Sequence, residues 1–229
     1  MKIRGIACVE RGVPHSHSHS LSLSLSLSLS LSLALALALA PAPSHAQTTP
    51  TLDSVLTRFS RIEGLTLHFR EEKHIALLTL PLITEGSLAY SRPGRLARRA
   101  GTETVLIDGS ALRMSDGSHE QHIDLGSQPI VRSFVDSFRA LLAGDRAAIE
   151  RSYTIEFACT APTWSITLRP RGAPLNQFLS SLEFHGSGDA LVSMRMNETS
   201  GDTTTTTFSD VDDHHHFATE ESARVFALP

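Results

Sequence analysis

Cysteine is nearly absent. The 229 residues hold two, Cys8 and Cys159. Cys8 lies in a leader-like segment, so the remaining chain keeps Cys159 alone and no intramolecular disulfide can form. Cys159 shares strand parity with Ile155 and Phe157, which reads as a small buried hydrophobe. A reactive thiol needs a basic, exposed setting that these neighbours do not supply. Basic charge is also scarce. Twenty Lys and Arg against 24 Asp and Glu leave a net charge of −4. The first 46 residues hold three of the basic residues and one of the acidic ones, so residues 47–229 carry about −6. Phosphate binding needs clustered Lys and Arg. The one basic cluster, Arg92, Arg95, Arg98 and Arg99, is short and confined to one segment, so nucleic acid is not an expected partner.

Catalytic signatures are missing as well. There is no G-x-S-x-G elbow, and Gly186-Ser187-Gly188 lacks its spacing. No Walker or dinucleotide glycine pattern follows a strand. His119-Glu120-Gln121-His122 is one residue short of the zinc H-E-x-x-H motif, and its setting reads as a polar loop. His214-His215-His216 lies beside Asp212 and Asp213. Consecutive residues rarely converge on one ion, so this too reads as a solvated polar loop. No catalytic group, metal or cofactor is expected.

What the chain does have begins with an export signal. Positive charges precede residue 21, and residues 21–40 hold ten Leu, four Ala and six Ser with no charge. Pro41 and Pro43 break the run, and Ser44-His45-Ala46 follows. Small residues at these positions fit signal peptidase, with cleavage after Ala46. Alternating serine lowers the hydrophobicity of the run, which argues against a permanent anchor although it is about long enough to span a bilayer. No Cys follows it, so the protein is not itself a lipoprotein. The expected organisation is a cleaved signal over 1–46, a linker over 47–50 and one domain over 51–229, large enough for a core without staples.

Within that domain the hydrophobic period changes several times. Leu52, Val55, Leu56, Phe59 and Ile62 recur at helical spacing in Thr51–Ile62, with Gly64 as the stop. From Leu65 the period is two: Leu67 and Phe69 alternate with His68 and Arg70. A mostly apolar connection, Ile75–Ile83, leads to Leu88 and Tyr90 and then to a turn at Arg92-Pro93-Gly94. Asp108-Gly109 marks a hairpin. Pro129–Ala143 is the one long helix, with Phe134, Val135, Phe138 and Leu142 in its apolar stripe, followed by Gly144 and a short helix over Asp145–Arg151. Strands resume with Ile155–Cys159, Trp164–Leu168, Leu182–Phe184, Val192–Met196 and Thr203–Phe208; the last reads as exposed or at a sheet edge. Glu220–Phe226 reads as a terminal helix. The sum is mainly β with helices (α+β): nine to eleven antiparallel strands, patterned apolar on one side, in one curved sheet around two or three helices. Its inner face is aliphatic, Met and Phe. Such a sheet either packs solidly or encloses an apolar cavity, and patterning does not separate the two.

A resemblance bears on that choice. The run Phe69-x-Glu71-x-Lys73, Pro81-Leu82, Glu85-Gly86-x-Leu88-x-Tyr90-x-Arg92-Pro93 and Leu106-x-Asp108-Gly109 resembles the outer-membrane lipoprotein carrier LolA family. So do Trp164-x-Ile166-x-Leu168-x-Pro170, Phe178 and Gly201-Asp202-x-Thr204-x-Thr206-x-Phe208, and the likeness spans residues 51–229. It implies an unclosed antiparallel β-barrel with a helical lid over an apolar cavity, here lined by Leu67, Phe69, Leu88, Tyr90, Phe134, Phe138, Ile166, Leu168, Met194 and Met196. It implies a monomeric periplasmic carrier that takes lipoprotein or lipid-linked cargo from an inner-membrane exporter to an outer-membrane acceptor. Arg92, at the family's Arg-Pro position, would latch the lid; an exposed rim arginine is the plainer reading. A lipid-sensing or binding module of the same fold is the alternative function. The chain departs from the family at Gly94-Arg95-Leu96-Ala97-Arg98, where Arg98 stands in place of an expected Trp, and in the Ile75–Ile83 connection. These departures point to a paralogue whose cargo is a lipid or lipid-linked pigment of a dedicated pathway.

Overall fold

A computed structural model describes residues 49–228. The expected export signal, residues 1–46, lies outside the described residues. Eleven strands form one antiparallel sheet: β1 Gly64–His74, β2 Leu82–Ser91, β3 Arg95–Ala100, β4 Glu103–Asp108, β5 Ala111–Ser115, β6 Glu120–Asp124, β7 Tyr153–Thr160, β8 Thr163–Pro170, β9 Leu179–Ser187, β10 Ala190–Glu198 and β11 Thr203–Asp212. Four helices accompany them: α1 Leu52–Phe59, α2 Pro129–Leu142, α3 Arg146–Ser152 and α4 Thr219–Val225. The strand order is β6-β5-β4-β3-β2-β1-β11-β10-β9-β8-β7. The chain meanders outward from β1 to β6, crosses through α2 and α3 to the far edge, and meanders back from β7. The pairing of β11 with β1 joins the two halves, and β6 and β7 are left as separate edges, so the barrel is open. None of the described helices is long and apolar enough to cross a membrane.

Local chemistry sets the helix ends. Thr51 and Ser54 form a capping box at α1, each hydroxyl accepting from the other's backbone N–H (3.2 and 2.9 Å). The helix stops at Phe59, earlier than its apolar spacing predicts. Gly64 is the first residue of β1 instead of a helix stop. Pro129 opens α2 at a position where no backbone donor is missed. Gly144 ends it with φ +65°, and a Cβ there would lie 2.3 Å from the Leu56 carbonyl oxygen, so α1 and α2 meet closely only at glycine. The Asp145 carboxylate caps α3 by accepting from Ala148 N–H at 2.9 Å.

The three helices α1–α3 lie on the inner face. Val55, Leu56 and Phe59 of α1, Leu141 and Leu142 of α2 and Ile149 of α3 join Leu65, Leu67, Trp164, Ile166, Leu168, Leu182 and Phe184 in the main core. A smaller cluster under the first turns of α2 contains Val135, Ile107, Leu112 and Leu125. Apolar patterning is not confined to one side. Ala89, Ala97 and Leu106, on the outer face, are covered by Phe226, Phe217 and Leu228 around α4. Two small alanines leave room for that segment. Arg95 stacks 4.3 Å from the Phe226 ring, and Arg99 donates to the Ala227 carbonyl at 2.8 Å. Two arginines of the basic cluster thus clasp the C-terminal segment.

Two further readings change. Thr203–Asp212 is a seam strand between β1 and β10, with Thr204 and Thr206 buried, and not an edge. Glu120–Asp124 is one of the two edge strands, so His122 stands on a strand and not in a loop.

Candidate functional site

An apolar cavity of about 280 Å³ lies between α2 and the inner face of the sheet. Its roof is Phe134, Phe138 and Leu142 of α2. The side chains at i and i+4 share a helix face, so the two phenylalanines project together. Its floor comes from both sheet halves: Phe69, Leu88, Tyr90, Leu96, Val105 and Ile107 on one side, Met194, Met196 and Phe208 on the other. Burial pushes the Tyr90 phenol above its ordinary pKa.

Of the ten residues expected on the cavity wall, seven line it: Phe69, Leu88, Tyr90, Phe134, Phe138, Met194 and Met196. Leu67, Ile166 and Leu168 do not. They are 5%, 1% and 1% exposed and sit in the solid core. Their parity is inward as expected, but α1 and α3 close directly onto that part of the sheet.

Charged and polar groups also enter the wall, beside the aliphatic, Met and Phe side chains expected there; Glu71 shares parity with Phe69, Arg98 with Leu96, and Thr204 and Thr206 with Phe208. At Phe69 the facing position on β2 is Gly86. A Cβ there would collide with the Arg99 carbonyl oxygen and lie 2.8 Å from the Phe69 ring, so glycine makes space for both the β3 backbone and the aromatic. Arg98 lies over that ring, its guanidinium carbon 4.8 Å from the centroid. It reaches the carboxylates of Glu71 at 3.6 Å and Glu103 at 3.5 Å. Glu71, Arg98, Thr204 and Thr206 all border the cavity.

Two arginines fasten the helices. Arg92 is half-buried and donates from Nη2 to the Ser60 carbonyl at 2.7 Å and the Ile62 carbonyl at 2.9 Å, with Nε to Ile62 at 3.2 Å. These carbonyls follow the C-terminal end of α1, where a cation is favoured by the helix dipole. Glu63 lies 3.4 Å away. Sequence reasoning missed the second, Arg139 on α2. It donates to the Gly94 carbonyl (3.3 and 3.1 Å) and to the Gly109 carbonyl (2.7 Å), fixing α2 to the β2–β3 and β4–β5 turns. A signal was present: Arg139 stands four residues after Val135 in the apolar stripe, where a charge requires a partner.

The remaining candidates lie elsewhere. His119 and His122 are exposed. His215 is not a solvated loop residue: it is packed against Phe217 and bridges Asp212 (3.1 Å) and Glu221 (3.0 Å). Cys159 is half-buried at the border of the core. Among the described residues, no three His, Cys, Asp or Glu side chains converge on a metal position.

The sequence profile of the family described as outer membrane lipoprotein carrier protein LolA-like matches residues 44–225. The chain belongs to that family. Its members are generally lipid- or lipoprotein-binding proteins of the cell envelope and not enzymes. No curated protein matches the chain. Among solved structures, a LolA superfamily protein from Nitrosomonas europaea is 11% identical, with TM-score 0.39, 71% of this chain covered and 93% of that one. A DUF1329 family protein from Desulfovibrio piger is 10% identical, with TM-score 0.42 and coverage of 76% and 96%. LprF from Mycobacterium bovis is 11% identical, with TM-score 0.33 and coverage of 71% and 94%. The family assignment rests on the sequence match.

Proposed function

We propose that this member of the LolA-like family is a periplasmic carrier that shields acyl chains in the cavity under α2. The cargo is a lipoprotein or another lipidated molecule, taken from an inner-membrane exporter and delivered toward an outer-membrane acceptor. The observation that carries this reading is an apolar cavity roofed by one helix, α2, whose last turn Arg139 ties to the β2–β3 and β4–β5 turns. Three acyl chains in water expose some tens of kcal/mol of apolar surface, at about 0.8 kcal/mol per CH₂. Ligand pockets usually measure roughly 300–1,000 Å³, so 280 Å³ accommodates part of a single chain. A full load needs α2 to move outward. Arginine-to-carbonyl fastenings suit that motion because they can break and re-form, while apolar surface that α2 gives up at Val135, Leu141 and Leu142 would be covered by the entering chain. In this reading Arg92 holds α1 and Arg139 holds α2.

The test is binding of a fluorescent fatty acyl probe to the purified protein. Phe138→Asp places a carboxylate in the roof, and burying an unpaired charge costs several kcal/mol. Its affinity should fall by at least about tenfold, roughly 1.4 kcal/mol, with the circular dichroism spectrum unchanged. Failure of the unaltered protein to bind the probe, or equal binding by a folded Phe138→Asp protein, overturns the carrier reading.

A further inference from the structure

Among the described residues, the large apolar side chains left in water are gathered mostly at one end of the sheet. In and beside the β1–β2 loop, Leu77 and Leu80 are 94% and 78% exposed, and Leu78, Leu82 and Ile83 are about half exposed. The β10–β11 turn is tied to this loop, where Asp202 accepts from the Ala76 N–H at 2.9 Å. Phe178 is tied to the same turn, where its carbonyl accepts from the Thr199 N–H at 3.0 Å. Its ring is half-exposed as well. None of these six side chains lines the cavity under α2. Scattered exposed apolar residues need no explanation, but a cluster of them marks a contact surface.

The cluster does not share a face. Leu82 stands opposite Lys73 and Ile83 opposite Glu72, and successive strand residues point to opposite sides of the sheet. Leu77 and Leu80 stand beyond the strand ends. A rigid partner or a second copy laid against one side would leave part of the set in water. A medium that surrounds the tip covers all of it. The charges are layered in the same way. Ile75–Thr84 is ten residues without a charge, and charge begins at its border with Glu72, Lys73 and His74 on β1 and Glu85 on β2. Glu198, paired with Lys73 at 3.0 Å, and Asp202 complete the border. This ring carries both signs with carboxylates in excess. It offers no basic patch to hold anionic lipid, and it complements headgroups that carry a phosphate and an ammonium together.

We propose that the β1–β2 loop, with Phe178 beside it, dips into the interface of a lipid bilayer of zwitterionic headgroups. The ring of charge stays at the headgroups while the leucines pass below them. Entry is shallow, because irregular backbone keeps its hydrogen bonds to water or headgroups and does not enter hydrocarbon. A few leucines at that depth hold a protein weakly and reversibly, as a single acyl anchor does. The contact does not depend on what fills the cavity.

The test is flotation of residues 47–229, which contain all eleven strands and the three core clusters, with vesicles of phosphatidylethanolamine and phosphatidylcholine in equal parts. The unaltered chain should float, and equally so between about 50 and 500 mM salt, because screening acts on charges and not on apolar contact. Leu77→Asp/Leu80→Asp, with an unchanged circular dichroism spectrum, should lower the partition coefficient by at least about a hundredfold. Val192 is 42% exposed near the other end of the sheet, and Val192→Asp should bind as the unaltered chain does. Brominated lipid should quench the added indole of Leu77→Trp and not that of Val192→Trp; Trp164 is buried and gives the same background in both. Failure of the unaltered chain to float, equal flotation of the double aspartate protein, or no quenching at Leu77→Trp overturns the proposal. So does binding that needs phosphatidylglycerol and falls with salt, which is electrostatic, or a dimer in sedimentation that the double aspartate substitution dissolves while vesicles leave it unbound. The carrier reading stands or falls separately, on the fluorescent acyl probe.

Discussion

The inner face of the sheet uses similar side chains across its whole width, yet its two halves behave differently. On β8 and β9, Ile166, Leu168, Leu182 and Phe184 are 1%, 1%, 4% and 2% exposed. On β2–β4, the inward Leu88, Leu96 and Val105 are only half-buried, and a cavity lies over them. The difference comes from what covers each half. Over β8 and β9, Val55, Leu56 and Phe59 of α1, Ile149 of α3 and the short turn at Leu175 bring branched and aromatic side chains onto the strands, with Phe59 edge-on to Trp164 at 6.3 Å. Over β2–β4 the cover is α2, whose Phe134, Phe138 and Leu142 roof the space and whose neighbour on the floor is Arg98. Arginine stops short of filling the space because its head must reach Glu71 and Glu103. One half holds the fold, and the other is left with room.

The strongest way to break this comparison is to truncate the same kind of side chain in each half. Leu168→Ala removes a fully enclosed side chain and should cost about 2–5 kcal/mol of unfolding free energy. Leu88→Ala removes one that already borders a void, leaves less new empty volume per atom lost, and should cost less than about half as much. Urea unfolding followed by fluorescence of Trp164 measures both. Equal losses would mean that α2 closes onto β2–β4 as tightly as α1 does onto β8, and that no cavity exists in solution.

Both halves were legible in the sequence as faces, and neither as packing. Period-two alternation placed Leu67, Leu88, Ile166 and Leu168 inward, and the structure has them inward. Parity does not say how close the covering helix comes, so Leu88 on the wall and Leu168 in the core look alike in the sequence. The Thr203–Thr207 run carried no apolar alternation and read as an edge. Its place at the seam depends on pairing with β1, more than a hundred residues away, which no local pattern encodes. Arg92, Arg95, Arg98 and Arg99 read as one short basic cluster within one segment. The turn before β3 and its alternation send them to three different jobs: Arg92 to an α1 end, Arg95 and Arg99 to the C-terminal segment, and Arg98 to the cavity floor. Arg98 is the least legible of these, since its position is explained only by Gly86 opposite Phe69 and by Glu71 and Glu103.

A smaller effect sharpens the comparison by loosening one cover at a time. Arg139→Leu removes the charged donor that fastens α2 to Gly94 and Gly109, and hydrogen bonds to charged groups are worth about 1.5–3 kcal/mol. The side chain is 25% exposed, so water re-forms part of this, and a loss of about 1–2 kcal/mol is expected. Arg92→Leu removes the donors to Ser60 and Ile62 beside α1. Hydrogen exchange should quicken in α2 for the first protein and in α1 for the second, with β8 and β9 protected in both. Both proteins should bind an acyl probe. Arg92→Leu should transfer it poorly to outer-membrane vesicles if that arginine resets the closed state. Normal transfer by a well-folded Arg92→Leu protein would falsify that role.

The smallest expected effect lies on the outer face, where the C-terminal segment backs the open half and not the solid one. His215 bridges Asp212 at the end of β11 and Glu221 in α4, and packs against Phe217. Burial disfavours its charged ring, but the hydrogen bonds to Glu221 and Asp212 outweigh this, and its pKa is raised above the ordinary value of 6.5. A group whose pKa is higher folded than unfolded binds its proton more tightly when folded. Its contribution is therefore fully present below about pH 6.5 and is lost as pH rises through the raised value. The Asp212 carboxylate is held below its ordinary range, mainly by its bond to His215, so its share is lost only in acid below that range. Between these limits the clasp should be firmest near pH 6 and weaker at pH 8. Amide exchange in Thr219–Val225, corrected for the intrinsic pH dependence of exchange, should be slower at pH 6, while exchange in β8 and β9 should show no such difference. His215→Asn should remove the pH dependence in α4. If exchange in α4 is equally protected at both values, the segment is held by its apolar contacts and by Arg95, Arg99 and Arg113, and the histidine bridge contributes nothing to backing the cavity.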